Sequence, residues 1–247
     1  MPATLVTRVR DRPRVRVEDL TVLLLTHPGG PVALQALDSL RLQDRRPDRV
    51  VVTGLASDDT EIADARQHPL IAEDGVTLLA RDPASSSDDV SLWRVIEDAR
   101  ADLDVGPGHW LWILHDDSVP EPDALDNLIE ATRRSSGVGI VGPKLVRADD
   151  PRRLVSVGHR ITRGGRLLDT DVARELDQGQ HDHRVDVIGV PMPGMLIRTD
   201  VLDEVGGLDK AFDDDTEGLD LSWRSHLRGH RVVVATDAVV RQGENGY

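Results

Sequence analysis

The sequence predicts an α/β fold, a mostly parallel sheet with helices on both faces. Short apolar runs recur along it: "LTVLLLT" (20–26), "RVVVT" (49–53), "VTLLA" (76–80), "WLWIL" (110–114) and "GVGIVGPKLV" (137–146). Runs of this length read as buried strands. Segments of helical period separate them, and strand alternating with helix implies parallel strands joined by crossovers. Hydrophobic residues make up 39% of the 247, enough for a core, and with four Trp, one Tyr and one Phe that core is aliphatic.

Taken in order, strand one is followed by a helix opened by Pro31, with Leu34, Leu37 and Leu40 or Leu42 on one face. "DDVSLWRVIEDARADL" (88–103) predicts a helix with Trp93, Ile96, Ala99 and Leu103 at helical spacing. "PDALDNLIEATRR" predicts the next, burying Leu125, Leu128 and Ile129, with Asp123 near its start. Beyond residue 146 the texture changes. "RLVSVGHRITRGGRLLD" reads as two short strands around a Gly-Gly turn, "ELDQGQHDHRVD" as a polar loop, and "VIGVPMPGMLIR" as strand interrupted by Pro191 and Pro193. Thr199 is placed to cap a short helix that Gly206–Gly207 ends. "EGLDLSWRSHLRG" is helical, and "RVVVA" (231–235) is the last strand. The expected organisation is a basic arm over 1–17 and one domain over 18–247, divided into halves 18–146 and 147–247.

Formal net charge is −14, which disfavours nucleic acid and anionic membrane as partners. An anionic small ligand is not excluded, because a local cation reverses the sign. The absence of cysteine removes disulfides and thiolate metal sites. No apolar run approaches the roughly 18 residues of a membrane span, and a cytoplasmic domain is expected. The closing "RQGENGY" suggests a piece of a longer protein, one that can act at the cytosolic face of a membrane. Arg8, Arg10, Arg12, Arg14 and Arg16 form either a solvated arm or a dock for an acidic partner.

Ligands of such sheets bind beyond the carboxyl ends of the strands. Three polar clusters fall there: His27 with Gly29–Gly30, Ser57–Asp58–Asp59, and His115–Asp116–Asp117. Adjacent carboxylates repel and need a partner or open solvent. They can hold a hard divalent cation that also binds phosphate oxygens. Asp-Asp before a proline is equally ordinary turn chemistry, so the pair alone leaves both readings open. "DDDTE" (213–217) lacks a calcium loop's spacing, no dinucleotide or P-loop pattern occurs, and His181 and His183 read as an exposed turn. Trp223 reads as a core position on its helix.

The chain resembles family 2 glycosyltransferases of the GT-A fold, of a type common in actinobacteria. The similarity is spread over "VLLLTHPGG", "PDRVVVTGLASDD", "WLWILHDDSVPEPDALDNL", "VGIVGPKL", "LDQGQHDH", "PGMLIRTDVLDEVGGLD" and "GLDLSWRSHLRGHRVVVATDAVVR". It implies a Rossmann-type sheet with a smaller mixed region on the acceptor side. It also implies a nucleoside-diphosphate-sugar donor, a glycan or lipid-linked acceptor such as a cell-envelope polysaccharide, and Mn²⁺ or Mg²⁺. By motif position, Asp117 and Asp116 are the metal ligands, and Asp116 also joins His27, Asp58 and His115 around the donor. Gly194, Met195, Asp220 and Trp223 lie on the acceptor side, where Trp223 walls the pocket. Three positions depart from the family pattern. Thr53 stands where an Asp grips the nucleoside, Gly218 where the catalytic Asp belongs, and Gln242 where a late His completes the metal site. Glu217 is then the candidate base. The alternative is a degenerate module that binds sugar, nucleotide or a protein partner. On this reading Gly218→Asp restores the acid, with equal or better stability.

Overall fold

The computed structural model describes residues 20–26, 34–47, 49–53, 66–72, 77–81, 108–134, 137–164, 166–167, 175–209, 211–212 and 216–243. Among these, nine strands form one sheet: β1 (Leu20–Leu25), β2 (Arg49–Thr53), β3 (Thr77–Arg81), β4 (Trp110–His115), β5 (Ser118–Pro120), β6 (Val138–Arg147), β7 (Leu154–Ser156), β8 (Leu196–Arg198) and β9 (Arg231–Gln242). The helices are α1 (Leu34–Arg41), α2 (Pro69–Ala72), α3 (Ala124–Arg133), α4 (Thr199–Val205) and α5 (Glu217–Leu227).

The sheet runs β3-β2-β1-β4-β8-β6-β9-β5, with β7 beside β6. Strands β3, β2, β1 and β4 are parallel, as the alternation of strand and helix requires. The remainder is mixed: β8 is antiparallel to β4 and β6, whereas β9 is parallel to β6 and antiparallel to β5. Successive residues of the parallel strands feed opposite cores, because side chains alternate across a sheet. Val22, Leu24, Val50, Val52, Trp112 and Leu114 pack with Leu37 and Leu40 of α1 and Leu125, Leu128 and Ile129 of α3. Leu23, Leu25, Val51, Leu111 and Ile113 pack on the other face with Leu202 of α4 and Leu221 of α5. Each fully buried leucine contributes roughly 1.5–3 kcal/mol.

Several expectations change in detail. In α1 the buried face is Ala36, Leu37, Ser39 and Leu40, while Leu34 and Leu42 are exposed. Thr199 does not cap α4. It is the first helical residue, and its hydroxyl donates to the His109 carbonyl at 3.2 Å. Gly206 does end α4, with φ of 82°. Asp123 makes no capping side-chain bond at α3. Instead the Leu125 N–H donates to Gln43 Oε1 at 3.1 Å, while Gln43 Nε2 donates to the Glu121 carbonyl at 2.8 Å, tying α1 to the start of α3. Among the described residues the Gly-Gly turn is flanked by one bridge, Ile161 to Leu167, and the stretch before β8 makes isolated bridges from Gly189 to His159 and from Asp186 to Val233 rather than a strand. The helix expected over 88–103 lies outside the described residues.

The largest difference is β9. "RVVVA" accounts for less than half of it. Opposite Pro143 and Lys144 its register steps from Ala235 to Val239, so Thr236–Ala238 bulge out and pairing resumes to Gln242. The polar Thr236–Asp237 interrupts the apolar run, which makes the strand look finished in sequence.

Lys144, buried on β6, anchors the polar loop. Its Nζ donates to Asp177 at 2.9 Å and Asp182 at 2.6 Å. Burial alone would lower the Lys144 pKa, but the hydrogen bonds and charges of the two aspartates outweigh it and the pKa is raised. Asp177 shows the converse: burial pushes it up, yet the Lys144 and Gly179 N–H bonds hold it below 3.8. A raised lysine gives stability that is complete below 10.5 and lost as pH rises through the folded value; a depressed aspartate gives stability that is lost as pH falls below about 3.8. Lys144→Met strands two carboxylates and is expected to cost about 2 kcal/mol near neutral pH. Urea midpoints across pH check this: the deficit should shrink toward pH 3, and a pH-independent deficit would show that packing, not charge, is what Lys144 supplies.

Candidate functional site

The four parallel strands end level with one another. Leu25 is in register with Thr53 and with His115, and Thr53 with Arg81. The chain leaves β4 at His115, turns through Asp116 and Asp117, and enters β5 at Ser118. All three turn-side residues are half-buried. Predicted neighbours His27 and Asp58 lie outside the described residues.

Strand β9 brings Gln242 to this turn, because Ser118 pairs with Gln242. The contact is made by side chains as well. Gln242 Nε2 donates to Asp117 Oδ1 in a short hydrogen bond. Ser118 Oγ donates to Gln242 Oε1 at 2.7 Å and accepts the His115 N–H at 3.1 Å. Ser118 and Gln242 are buried. The next residue, Gly243, donates its N–H to the Asp117 carbonyl at 3.1 Å, and a Cβ there would lie 2.9 Å from Asp117 Cβ and Oδ2. The role of Ser118 was not read from sequence; its one signal was its place directly after the acid pair.

Gly194 and Met195 join β4 just before the turn. Gly194 N–H donates to the Ile113 carbonyl and Ile113 N–H to the Met195 carbonyl, both at 2.8 Å. The buried Trp112 indole N–H donates to the Gly194 carbonyl at 3.2 Å. Gly194 has φ of 79°, and a Cβ would meet Pro143 Cγ at 2.5 Å, so both conformation and space require glycine. The Met195 side chain is fully buried in the core shared with Ile113.

The same segment supports α5. Gly218 presses against the main chain of 190–192: a Cβ would lie 2.5 Å from the Val190 carbonyl oxygen and 2.9 Å from the Met192 nitrogen. Ser222 Oγ donates to the Gly218 carbonyl at 2.6 Å and accepts the Val190 N–H at 3.3 Å. Residues 190–195 thus bridge the start of α5 to the end of β4. Glu217 opens α5 and is buried, 8% exposed. Asp220 is engaged by Arg224, whose Nε and Nη2 both donate to Oδ2, while Nη1 donates to the carbonyls of Val205 and Gly207. That arginine fastens α5 to the end of α4. Trp223 is not a core residue: it is 44% exposed, one turn before the exposed Leu227.

The donor set fits a hard divalent cation in part. Asp116 and Asp117 bring two carboxylates to the end of β4, but Asp117 Oδ1 accepts the Gln242 N–H and its Oδ2 is buried. Among the described residues no group of three or more His, Asp and Glu could hold a metal. No described helix is long and apolar enough to cross a membrane.

The pattern for the glycosyltransferase-like family 2 matches residues 20–245, and the chain belongs to that family. Solved structures share the fold. S. aureus TarS superposes with a TM-score of 0.60 at 14% identity, over 90% of this chain and 36% of that one. TarS 1-349 in complex with UDP-GlcNAc gives 0.59 at 14%, over 92% and 59%. GalNAc-T7 with UDP, GalNAc and Mn²⁺ gives 0.65 at 10%, over 93% and 45%. The sheet and its flanking helices are those of GT-A glycosyltransferases. The chain spans less than two thirds of the length of these neighbours. No curated protein sequence matches it significantly.

The contact at Gly218 reverses the expectation that an aspartate there would be harmless or stabilising. Gly218→Asp would drive a side chain into main-chain atoms and bury a carboxylate, at about 3 kcal/mol or more; Gly218→Ala should cost about 1–3 kcal/mol. Urea denaturation of both variants tests this, and unchanged midpoints would refute the close approach.

Proposed function

We propose that the chain transfers a sugar from a nucleoside-diphosphate sugar, with inversion, to a hydroxyl of a glycan or lipid-linked acceptor, with Mn²⁺ or Mg²⁺ at the acid pair. The supporting observation is the Asp116–Asp117 turn where four parallel strands stop level with one another, met there by the end of β9. The family membership and the nucleotide named with the structural neighbours support the donor class.

On this reading the half over 18–146 binds the nucleotide sugar and the half over 147–247 receives the acceptor. The arm over 1–17 lies outside both. Asp117 and Asp116 hold the cation, which when bound supplies positive charge for the departing diphosphate. His27, Asp58 and His115 surround the nucleoside and diphosphate. Glu217 accepts the proton of the acceptor hydroxyl as its oxygen attacks the anomeric carbon. Its place in the first turn of α5 sets the carboxylate toward the positive end of the helix dipole. The exposed Trp223 indole offers a flat apolar face to a sugar ring. Gly194, Met195 and Asp220 act on the acceptor side through the packing that fixes residues 190–195 and α5. An actinobacterial cell-envelope polysaccharide, built at the cytosolic face, is the acceptor we favour.

A second reading is favoured by one observation: Gly218 has no space for a carboxylate, so the family's base is missing. A domain that binds nucleotide without turning it over would then serve a neighbouring transferase. A donor screen measuring binding and turnover separately distinguishes the two.

Asp117→Asn should weaken Mn²⁺-dependent UDP binding by about ten-fold or more in calorimetry. Equal affinity in a wild type that does bind would remove Asp117 from this role. Glu217→Gln keeps size and hydrogen bonding but loses basicity. It should lower kcat by roughly 10²-fold with donor affinity little changed; a Gln variant as fast as wild type would move the base elsewhere.

A further inference from the structure

The protein itself engages Asp117. Gln242, 2% exposed, lies in two ladders at once: it pairs with Arg147 of β6 and with Ser118 of β5. Its carbonyl accepts the Ala148 N–H at 2.9 Å. Its side chain is held at both ends, since Ser118 Oγ donates to Oε1 and Nε2 donates to Asp117 Oδ1. Ser118 Oγ in turn accepts the His115 N–H, so the donors run in one direction from β4 to Asp117. Turned over, the amide would set its oxygen against a carboxylate and take the acceptor away from the Ser118 proton. Asp117 Oδ2 is buried as well, and the Gly243 main chain closes on it, where even a Cβ would lie at 2.9 Å. The Gly243 N–H also donates to the Asp117 carbonyl.

These contacts make Asp117 the point where the end of β9 is fastened to the turn after β4. A hard divalent cation needs several oxygen ligands around it. To reach Asp117 it would have to part a buried amide from its carboxylate, and the displaced N–H would stay buried, which is costly. Gly218 shows the same at the position of the family's base, where main-chain atoms fill the space of an acid. We propose that Asp117 is a structural clasp rather than a metal ligand, and that the domain holds its nucleotide without a divalent cation at this turn. The proposal rests on the second reading above, in which a ligand is held without turnover and no departing diphosphate needs a cation's charge. The two readings part at Asp117: the first sets it on a metal, the second on Gln242.

The test compares the full chain and its Asp117→Asn variant in EDTA and in about 1 mM Mn²⁺, by melting temperature and by UDP calorimetry; a cation that binds only the native state raises its stability. Wild type should bind UDP with affinities within about two-fold in the two buffers. Asp117→Asn should lower the melting temperature by the same amount in both, because it weakens a charge-assisted bond and removes no metal contact. The proposal is overturned if Mn²⁺ raises the melting temperature of wild type and Asp117→Asn abolishes that rise. It is equally overturned if wild type binds UDP about ten-fold or more tightly with Mn²⁺ than in EDTA. A rise shared by wild type and Asp117→Asn marks a cation bound elsewhere and supports the clasp. If Asp117→Asn does not fold, the UDP affinities of wild type in the two buffers decide alone. A wild type that binds no UDP in either buffer rejects the nucleotide, and with it the reading beneath the proposal, while the Mn²⁺ melting comparison still decides whether Asp117 is a clasp or a ligand.

Discussion

The site depends on the register of β9. That strand runs parallel to β6 and antiparallel to β5, so it fixes the distance between the mixed part of the sheet and the turn after β4. Its three-residue bulge is what sets Gln242, and not a neighbour, opposite Ser118. Side chains alternate across a strand, so a slip of one residue would turn Gln242 to the other face and leave Asp117 without its amide donor. Bulges near functional sites commonly re-aim a side chain in this way. The buried Lys144, at the step in register, ties the same region of β6 to Asp177 and Asp182 and resists such a slip.

A second constraint comes from residues 190–195, which are packed on all sides. They pair with Ile113, receive the Trp112 indole N–H, and support the first turn of α5 through Gly218 and Ser222. This explains why a motif position can be misjudged when read as chemistry alone. Gly218 looks like a lost carboxylate beside Glu217, but in the fold it is the point where a helix touches another segment's main chain. The two views are compatible: a helix brought this close places Glu217 deep in the protein while forbidding an acid at the next position. Glycine here has a packing cause whether or not the domain is active.

Much of the architecture was legible because β1, β2 and β4 are buried on both faces, which leaves an unbroken apolar signature in "LTVLLL", "RVVVT" and "WLWILH". The sheet edge was legible for the same reason: polar residues begin where burial ends, and His115–Asp116–Asp117 marks that point. Other features were not legible. The end of β9 follows a polar excursion at Thr236–Asp237 that looks like a stop. Arg224 and Gln43 act through main-chain carbonyls and amides far away in sequence, and no local pattern announces such partners. Trp223 sits at a spacing that suits a buried face, but α5 buries Gly218, Leu221, Ser222 and Ser225 instead. Small residues let the helix approach closely, and a hydrophobicity pattern does not reveal that preference.

Two adjacent carboxylates in a chain of net charge −14 raise the question of what keeps them from repelling each other. The structure answers it first with a neutral group. The Gln242 amide N–H directed at Asp117 supplies a donor without adding charge, and a hydrogen bond to a charged group is roughly twice as strong as a neutral one. A buried cationic side chain there would also have neutralised the pair, but would compete with the cation proposed above. Gln242 keeps the local charge negative while fixing the geometry. On the proposed function, a cation arriving with a diphosphate would offset the acid pair and the phosphates together.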